Sequence, residues 1–291
     1  MATLPVLGFV GAGKVGVALA RLLSQRGYTV AAIASRGFSA AKTLAEQVGA
    51  EAVTAAEVVA RAELTFLTVP DDQLAPLARQ LAEDGPGGRA VVHTSGALDA
   101  GVLEPLAARG VATGSLHPAF PFADSDDSVR RLPGATFALE AADARLERWL
   151  EEIVAALDGR ILRVPPGRKP LYHAALVFAS NYTVTLYAVA EKLLQSLGAE
   201  REVAANALNA LLEGTIANLA AQGTPDALTG PLVRGDTGTV AAHLDALERV
   251  DPRLAALYRQ LAEATLPLLE ARGLSTEAIS ASLGISLPDQ E

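Results

Sequence analysis

The chain has no cysteine, one methionine, one tryptophan and only four histidines among 291 residues. Without thiols it holds no disulfide, thiolate nucleophile, Cys-ligated zinc or iron–sulfur cluster, a composition compatible with a reducing compartment. The histidines lie far apart in sequence and no His/Asp/Glu spacing recurs, so no metal site is expected. Positive charge is scarce too. Lys+Arg number 24 against 33 Asp+Glu, a formal net charge of -9, and no basic cluster could track phosphates. Nucleic acid and anionic membranes are therefore poor partners.

Long hydrophobic runs are also missing. The N-terminal run stops at glycines after about seven residues and has no basic segment before it, so neither a signal peptide nor an anchor is expected. Residues 171–190 are apolar, but His173, Ser180, Asn181, Thr183 and Thr185 interrupt them within the ~20 residues a membrane span needs. The expectation is a cytoplasmic protein whose chemistry comes from His, Lys, Asp, Ser and a cofactor.

Hydrophobic residues make up 50% and charged residues 20%, enough for a sizeable core. The first half alternates short apolar runs with amphipathic segments, the pattern of a parallel sheet covered by helices. Strands are predicted at residues 6–10, 29–34, 64–69, 90–93, 111–116, 136–139 and 160–164. Helices are predicted at 14–25, 40–48, 55–61, 72–83, 98–109 and 144–156. Thr54 with Glu57 has capping-box spacing, and Gly27, Gly49 and Gly110 occupy C-cap positions. Beyond Val164-Pro165-Pro166-Gly167 the periodicity is helical, at 170–197, 202–221, 239–250, 252–272 and 276–283. This predicts an α/β domain over residues 1–166 and an all-α domain over 167–291, whose long apolar helices suit packing against a second copy as a homodimer.

Gly11-Ala12-Gly13-Lys14-Val15-Gly16 follows a buried-strand run and opens an amphipathic helix. In this context the first glycine permits a tight turn, the second lets a pyrophosphate approach the backbone, and the third lets helix and strand pack closely. Free N–H groups at the helix start then hold the phosphates. The position after the next strand, where an NAD site carries Asp or Glu, holds Ser35-Arg36-Gly37. A guanidinium there pairs with a 2′-phosphate and a carboxylate would repel it, so NADP is preferred over NAD. The missing acid also weakens an S-adenosylmethionine reading.

Other strand ends are polar. Val69-Pro70-Asp71-Asp72 is expected beside the cofactor, with Asp71 or Asp72 read as a helix N-cap or a catalytic acid. Thr94-Ser95 read as caps or as donors to a substrate oxygen, His93 as mainly structural, and His117 as a titratable group facing substrate or a ring bonded to loop carbonyls. At the domain boundary Lys169 and His173 share a helix face with Ser180, and Asn181 lies about 80° round. Burying such groups is costly unless they face a wet cleft or one another. Arg234 and Asp236, in 228–239, read either as a clamp for a substrate carboxylate or as a structural pair with Asp236 or Thr237 as N-cap, and His243 as structural.

These motifs, Gly11-x-Gly13-x-x-Gly16, His93-Thr94-Ser95-Gly96, Gly114-Ser115-Leu116-His117-Pro118, Tyr172-His173 with Ser180-Asn181, and Leu228-Thr229-Gly230-Pro231 with Arg234-Gly235-Asp236, occur in order along nearly the whole chain. The sequence resembles a bacterial family of Rossmann-like proteins with a helical C-terminal domain of unknown function. More distantly it is similar to pyrroline-5-carboxylate reductase, ketopantoate reductase, the β-hydroxyacid dehydrogenases and the deazaflavin-dependent NADP reductases, all of the 6-phosphogluconate dehydrogenase-like superfamily. The resemblance implies an N-terminal Rossmann domain and a helical C-terminal domain that commonly dimerises. In two of those groups a Lys and an Asn four residues on flank the substrate. Lys169 matches that Lys, and His173 stands where the Asn would be.

The combined expectation is an NADP-dependent oxidoreductase moving hydride between nicotinamide and a small carbonyl, hydroxyl or imine substrate in an interdomain cleft. In it Lys169 stabilises or protonates the oxyanion, His173 or His117 relays the proton, Ser95 or Asn181 orients substrate, and Arg234 holds a carboxylate. The alternatives are a catalytically silent NADP-binding sensor or partner protein and a deazaflavin–NADP hydride exchanger, for which no separate motif is present.

Overall fold

The computed structural model of the protein describes residues 4–85 and 90–284, and the chain divides into two compact units between Thr185 and Leu186. The first unit is built on strands β1 (Leu7–Val10), β2 (Val30–Ala34), β3 (Glu51–Ala52), β4 (Leu64–Leu67), β5 (Ala90–His93), β6 (Ala112–Pro118), β7 (Thr136–Ala141) and β8 (Arg160–Arg163). They form one sheet in the order β3-β2-β1-β4-β5-β6-β7-β8. All pairings are parallel except β6 with β7. That antiparallel pair departs from the all-parallel expectation. The two-residue β3 and the helix α6 below were also not anticipated, each being too short to show a period.

Helices α1 (Lys14–Gln25), α2 (Phe38–Val48), α3 (Ala55–Arg61), α4 (Asp71–Glu83), α5 (Glu104–Ala107), α6 (Ser125–Arg131) and α7 (Ala144–Ala156) cover the sheet. Buried β-strand runs account for this arrangement, since a parallel sheet needs apolar layers on both faces. One face packs Leu7, Phe9, Leu64 and Phe66 against Leu19, Leu23, Leu44 and Leu150. The other packs Val10, Leu67 and Val91 against Val58, Leu74, Ala78 and Leu106. The expected capping box closes at Thr54 and Glu57, and Gly49 ends α2 in the left-handed conformation with φ of 72°. The predicted helix over 98–109 is instead a 3-10 turn at Ala100–Leu103 followed by α5.

The helix predicted over 170–197 is two, α8 (Lys169–Ala179) and α9 (Asn181–Ser196), broken at Ser180. Thr183 Oγ1 donates to the Ala179 carbonyl and Thr185 Oγ1 to that of Asn181, the back-bonding by which hydroxyls bend helices. The division between the compact units falls within α9, beyond the composition change at residues 165–167. The second unit continues through α10 (Arg201–Gln222), α11 (Thr237–Val250), α12 (Pro252–Ala271) and α13 (Glu277–Leu283). Its core joins Val240 and Leu244 to Ala255, Leu266, Leu269 and Ile279. No helix among the described residues is long and apolar enough to cross a membrane.

Candidate active site

The strand order reverses between β1 and β4, so their carboxyl ends diverge into a crevice where ligands bind open α/β sheets. A cavity of about 580 Å3 lies there, lined by Gly11–Gly13, Ser35 and Arg36, and Thr68–Pro70. Gly11 has φ of +119°, and a side chain on it would strike the Thr68 carbonyl. Beyond Gly13 there is open space, and a Cβ on Gly16 would lie 2.2 Å from the Gly11 carbonyl oxygen. The backbone at the three glycines thus has the tight turn, the open approach and the close packing that their spacing implies. Thr68 adds a latch that the motif did not show: its hydroxyl donates to the Gly11 carbonyl at 2.7 Å. Helix α1 starts with Gly13 as N-cap and no acidic residue in its first turn, leaving its N–H groups toward the cavity mouth.

Of the expected cofactor residues, Gly11, Ala12, Gly13, Ser35, Arg36, Val69 and Pro70 line this cavity. Lys14, Val15 and Gly16 form the first turn of α1, and Asp71 opens α4 with Pro70, not an aspartate side chain, at the N-cap. Thr54, Gln73, Leu77 and Gln80 add polar and apolar wall, and among the described residues no carboxylate lines it. Sequence reading missed these residues because they come from α3 and α4, whose turns carry no dinucleotide signature.

Along the same sheet edge the register sets Val10 beside Leu67, Leu67 beside His93, His93 beside Ser115 and Ser115 beside Glu140. At ~4.8 Å per strand, a line of polar ends therefore runs from the glycine loop to β7. His93 is fully buried. Its Nδ1 accepts from the Ser95 N–H at 3.1 Å, so the ring proton sits on Nε2 and donates to the Asp99 carbonyl at 3.3 Å. Ser95 Oγ accepts from the Ala97 and Leu98 N–H groups, so its hydroxyl closes the turn while its carbonyl accepts from Lys169 Nζ at 3.1 Å. Glu140 accepts from Ser115 Oγ and from the Ala100 N–H.

Helix α8 brings Lys169, Tyr172 and His173 to this edge. The Lys169 side chain is fully buried. Burial lowers its pKa, while the carboxylates of Glu140, Asp99 and Asp71 pull the other way. His117 Nδ1 lies 2.8 Å from the Tyr172 hydroxyl, and the His117 and His173 rings meet edge-on with centroids 6.4 Å apart. Burial first, then the Lys169 ammonium, lowers the His117 pKa to about 4, and burial raises that of Tyr172 to about 12. Both are neutral at physiological pH.

The structure thus gathers Lys169, His173, His117 and Ser95, with Tyr172, Glu140 and His93 as additional members. Tyr172 was visible within its motif. Glu140 carried no signal, because only antiparallel pairing places it opposite Ser115. Asn181 is not in the cluster: it is exposed at the start of α9, about 18 Å along the helices from Lys169 at 1.5 Å per residue. In the second unit Asp236 caps α11 by accepting from the Thr239 N–H and hydroxyl, and Arg234 is exposed beside it, helping to hold that carboxyl below its ordinary pKa. His243 pairs with the Tyr258 hydroxyl at 3.1 Å. Among the described residues no group of three His, Cys, Asp or Glu side chains could hold a metal ion.

A crevice at the sheet's reversal point beside a buried Lys–His cluster defines a Rossmann-type chain with a helical second domain. Residues 2–118 match the Rossmann-like domain family, and residues 135–265 match the family described as a domain of unknown function, DUF2520. The two matches lie in tandem along the chain. No curated protein matches the sequence. Among solved structures, it is similar to a provisionally assigned NADP oxidoreductase from Bacteroides fragilis, with 27% identity, a TM-score of 0.69 and coverage of 90% of this chain and 97% of that one. It is also similar to a protein from Thermotoga maritima, at 25% identity and a TM-score of 0.75 over 92% and 99% of the two chains. A pyrroline-5-carboxylate reductase from Coxiella burnetii shares the fold at 16% identity, with a TM-score of 0.61 over 98% and 100%.

Proposed function

We propose that the protein is an NADP-dependent oxidoreductase acting on a small carbonyl, hydroxyl or imine substrate. The observation that carries this is a glycine-loop cavity walled by Arg36 and Ser35 without any carboxylate, on the same strand-end line as the Lys169–His117–His173 cluster. The likeness to the Bacteroides fragilis protein supports the same reading. Bound in the cavity, the dinucleotide would supply or accept hydride at nicotinamide C4. The N–H groups of α1 and the open space at Gly13 would hold the pyrophosphate, and Arg36 would pair with the 2′-phosphate.

The Lys169 ammonium donates to the Ser95 carbonyl and, after burial, helps lower the His117 pKa, while His117 and His173 stand toward the substrate. The experiment is fluorescence titration with NADPH and NADH for wild type and Arg36→Glu. Wild type is expected to bind NADPH at least tenfold more tightly, and the variant to lose that preference; equal affinities in wild type would overturn the NADP assignment.

The complete burial of Lys169 favours one second reading, an NADP-binding protein without turnover. It requires that NADPH bind and no carbonyl or imine compound oxidise it. The exposed apolar faces of the helical domain support homodimerisation, and the absence of a basic cluster supports a small-molecule rather than a nucleic-acid partner.

A further inference from the structure

The first residue of the glycine loop stands where the backbone ladder runs out. The Gly11 N–H donates to the Ala34 carbonyl at 2.8 Å, continuing the pairing of β1 with β2. On the other side the Thr68 N–H donates to the Val10 carbonyl at 2.8 Å, one residue past the register of β1 with β4. The Gly11 carbonyl lies a residue further on, and among the described residues no main-chain N–H donates to it. Its donor is a side chain, the buried Thr68 hydroxyl, at 2.7 Å; the same hydroxyl is 3.4 Å from the Val10 carbonyl oxygen.

This bond controls the direction of the next N–H. A Cβ on Gly16 would lie 2.2 Å from the Gly11 carbonyl oxygen and 2.5 Å from Thr68 Oγ1, so both atoms occupy the place a side chain on Gly16 would take. In a planar trans peptide the carbonyl and the following N–H point in opposite directions. With the Gly11 carbonyl held against Thr68 and Gly16, the Ala12 N–H is turned away from them, toward the cavity that Ala12 lines. That N–H has no acceptor among the described residues. Backbone N–H groups presented in this way attract an anion, whereas a carbonyl turned to the same spot would repel one. Glycine rotates freely, and Gly11 at φ of +119° sets no steric bar of its own to such a turn.

We propose that Thr68 is a positioning residue for the dinucleotide: its hydroxyl fixes the Gly11–Ala12 peptide so that the Ala12 N–H meets the pyrophosphate. The proposal rests on the dinucleotide reading of the cavity and adds to the phosphate-binding loop a residue 57 positions from Gly11. Valine has the outline of threonine without the donor. In Thr68→Val a methyl group replaces the hydroxyl that now lies 2.7 Å from the carbonyl oxygen, so the oxygen loses its hydrogen bond and is pressed away. Serine keeps the donor and drops only the methyl group.

The test is calorimetric titration of the full chain with two probes, NADPH and adenosine 2′-monophosphate. Both carry the adenosine and the 2′-phosphate that Arg36 would pair with, and only NADPH carries a pyrophosphate. Thr68→Val is expected to bind NADPH at least tenfold more weakly than wild type and adenosine 2′-monophosphate within about twofold. Thr68→Ser is expected to restore NADPH affinity to within about threefold of wild type. Should Thr68→Val fold poorly, as judged by circular dichroism, Thr68→Ala carries the same expectation. Undiminished NADPH affinity without the hydroxyl, an equal loss for both probes, or a serine variant as weak as the valine one would overturn the positioning role while leaving the oxidoreductase reading standing. A wild-type protein that binds no NADPH would overturn both.

Discussion

His93 and His117 show how burial, with a buried cation beside it, sets the behaviour of two imidazoles. Burial, then the Lys169 ammonium, lowers both rings to about 4 from the ordinary 6.5. Below pH 6.5 the unfolded chain takes up protons on these residues that the native state refuses until about pH 4. Stability is therefore fully present above pH 6.5 and is lost as the pH falls from 6.5 toward 4. For fully buried His93 that difference corresponds to about 3 kcal/mol. Urea unfolding at pH 7 and pH 4.5 should show at least a large part of this loss, and His93→Gln should flatten the dependence. Equal stability at the two pH values would mean that the rings are not held neutral. The motif His93-Thr94-Ser95-Gly96 was legible in the sequence, but its division of labour was not, because Ser95 acts through its carbonyl and Gly96 through the two rings packed onto it.

Among elements, the β6–β7 pair carries most of what was unanticipated. A parallel crossover was the natural expectation from the alternating pattern, yet β7 runs against β6 and sets Glu140 opposite Ser115. The pairing depends on Gly114, where a Cβ would come 2.4 Å from the Glu140 carbonyl oxygen. Both partners there are backbone, so neither can swing aside. Gly114→Ala is expected to destabilise the fold by about 2–3 kcal/mol, as overpacking of a tight contact does, and to weaken the Ser115–Glu140 hydrogen bond. An unchanged urea midpoint would show that the strands separate freely. The break between α8 and α9 has the same character: apolar periodicity predicted one helix, and the threonine hydroxyls that bend it act through geometry that a period does not record.

For the whole molecule, the apolar helices of the second unit are the outstanding feature. In α10, 22 residues long, only Ala204 is buried, while Val203, Leu211, Ile216 and Leu219 are exposed. In α9 no residue is buried. A helix apolar on several sides is stable in water only when those sides are covered. In the proposed homodimer a second copy of the chain would provide that cover. Light scattering should therefore give twice the 30.0 kDa of the chain, and the double variant Leu211→Glu, Ile216→Glu should shift the mass toward the monomer. A wild-type mass of 30.0 kDa would rule out the homodimer.

The glycine loop, Ser35-Arg36, the alternation of strands and helices and the helical second half were all determined by the sequence itself. Each is a local signal, resting on backbone conformation, a period of apolar residues or the charge of one side chain. Only the tertiary structure decided that Glu140 faces Ser115, that Lys169 is buried with its ammonium on the Ser95 carbonyl, that Asn181 stands apart and that the His117 and His173 rings close on Gly96. Those relations join residues up to ~80 positions apart through strand register and helix docking. A single chain records no such pairing until it folds.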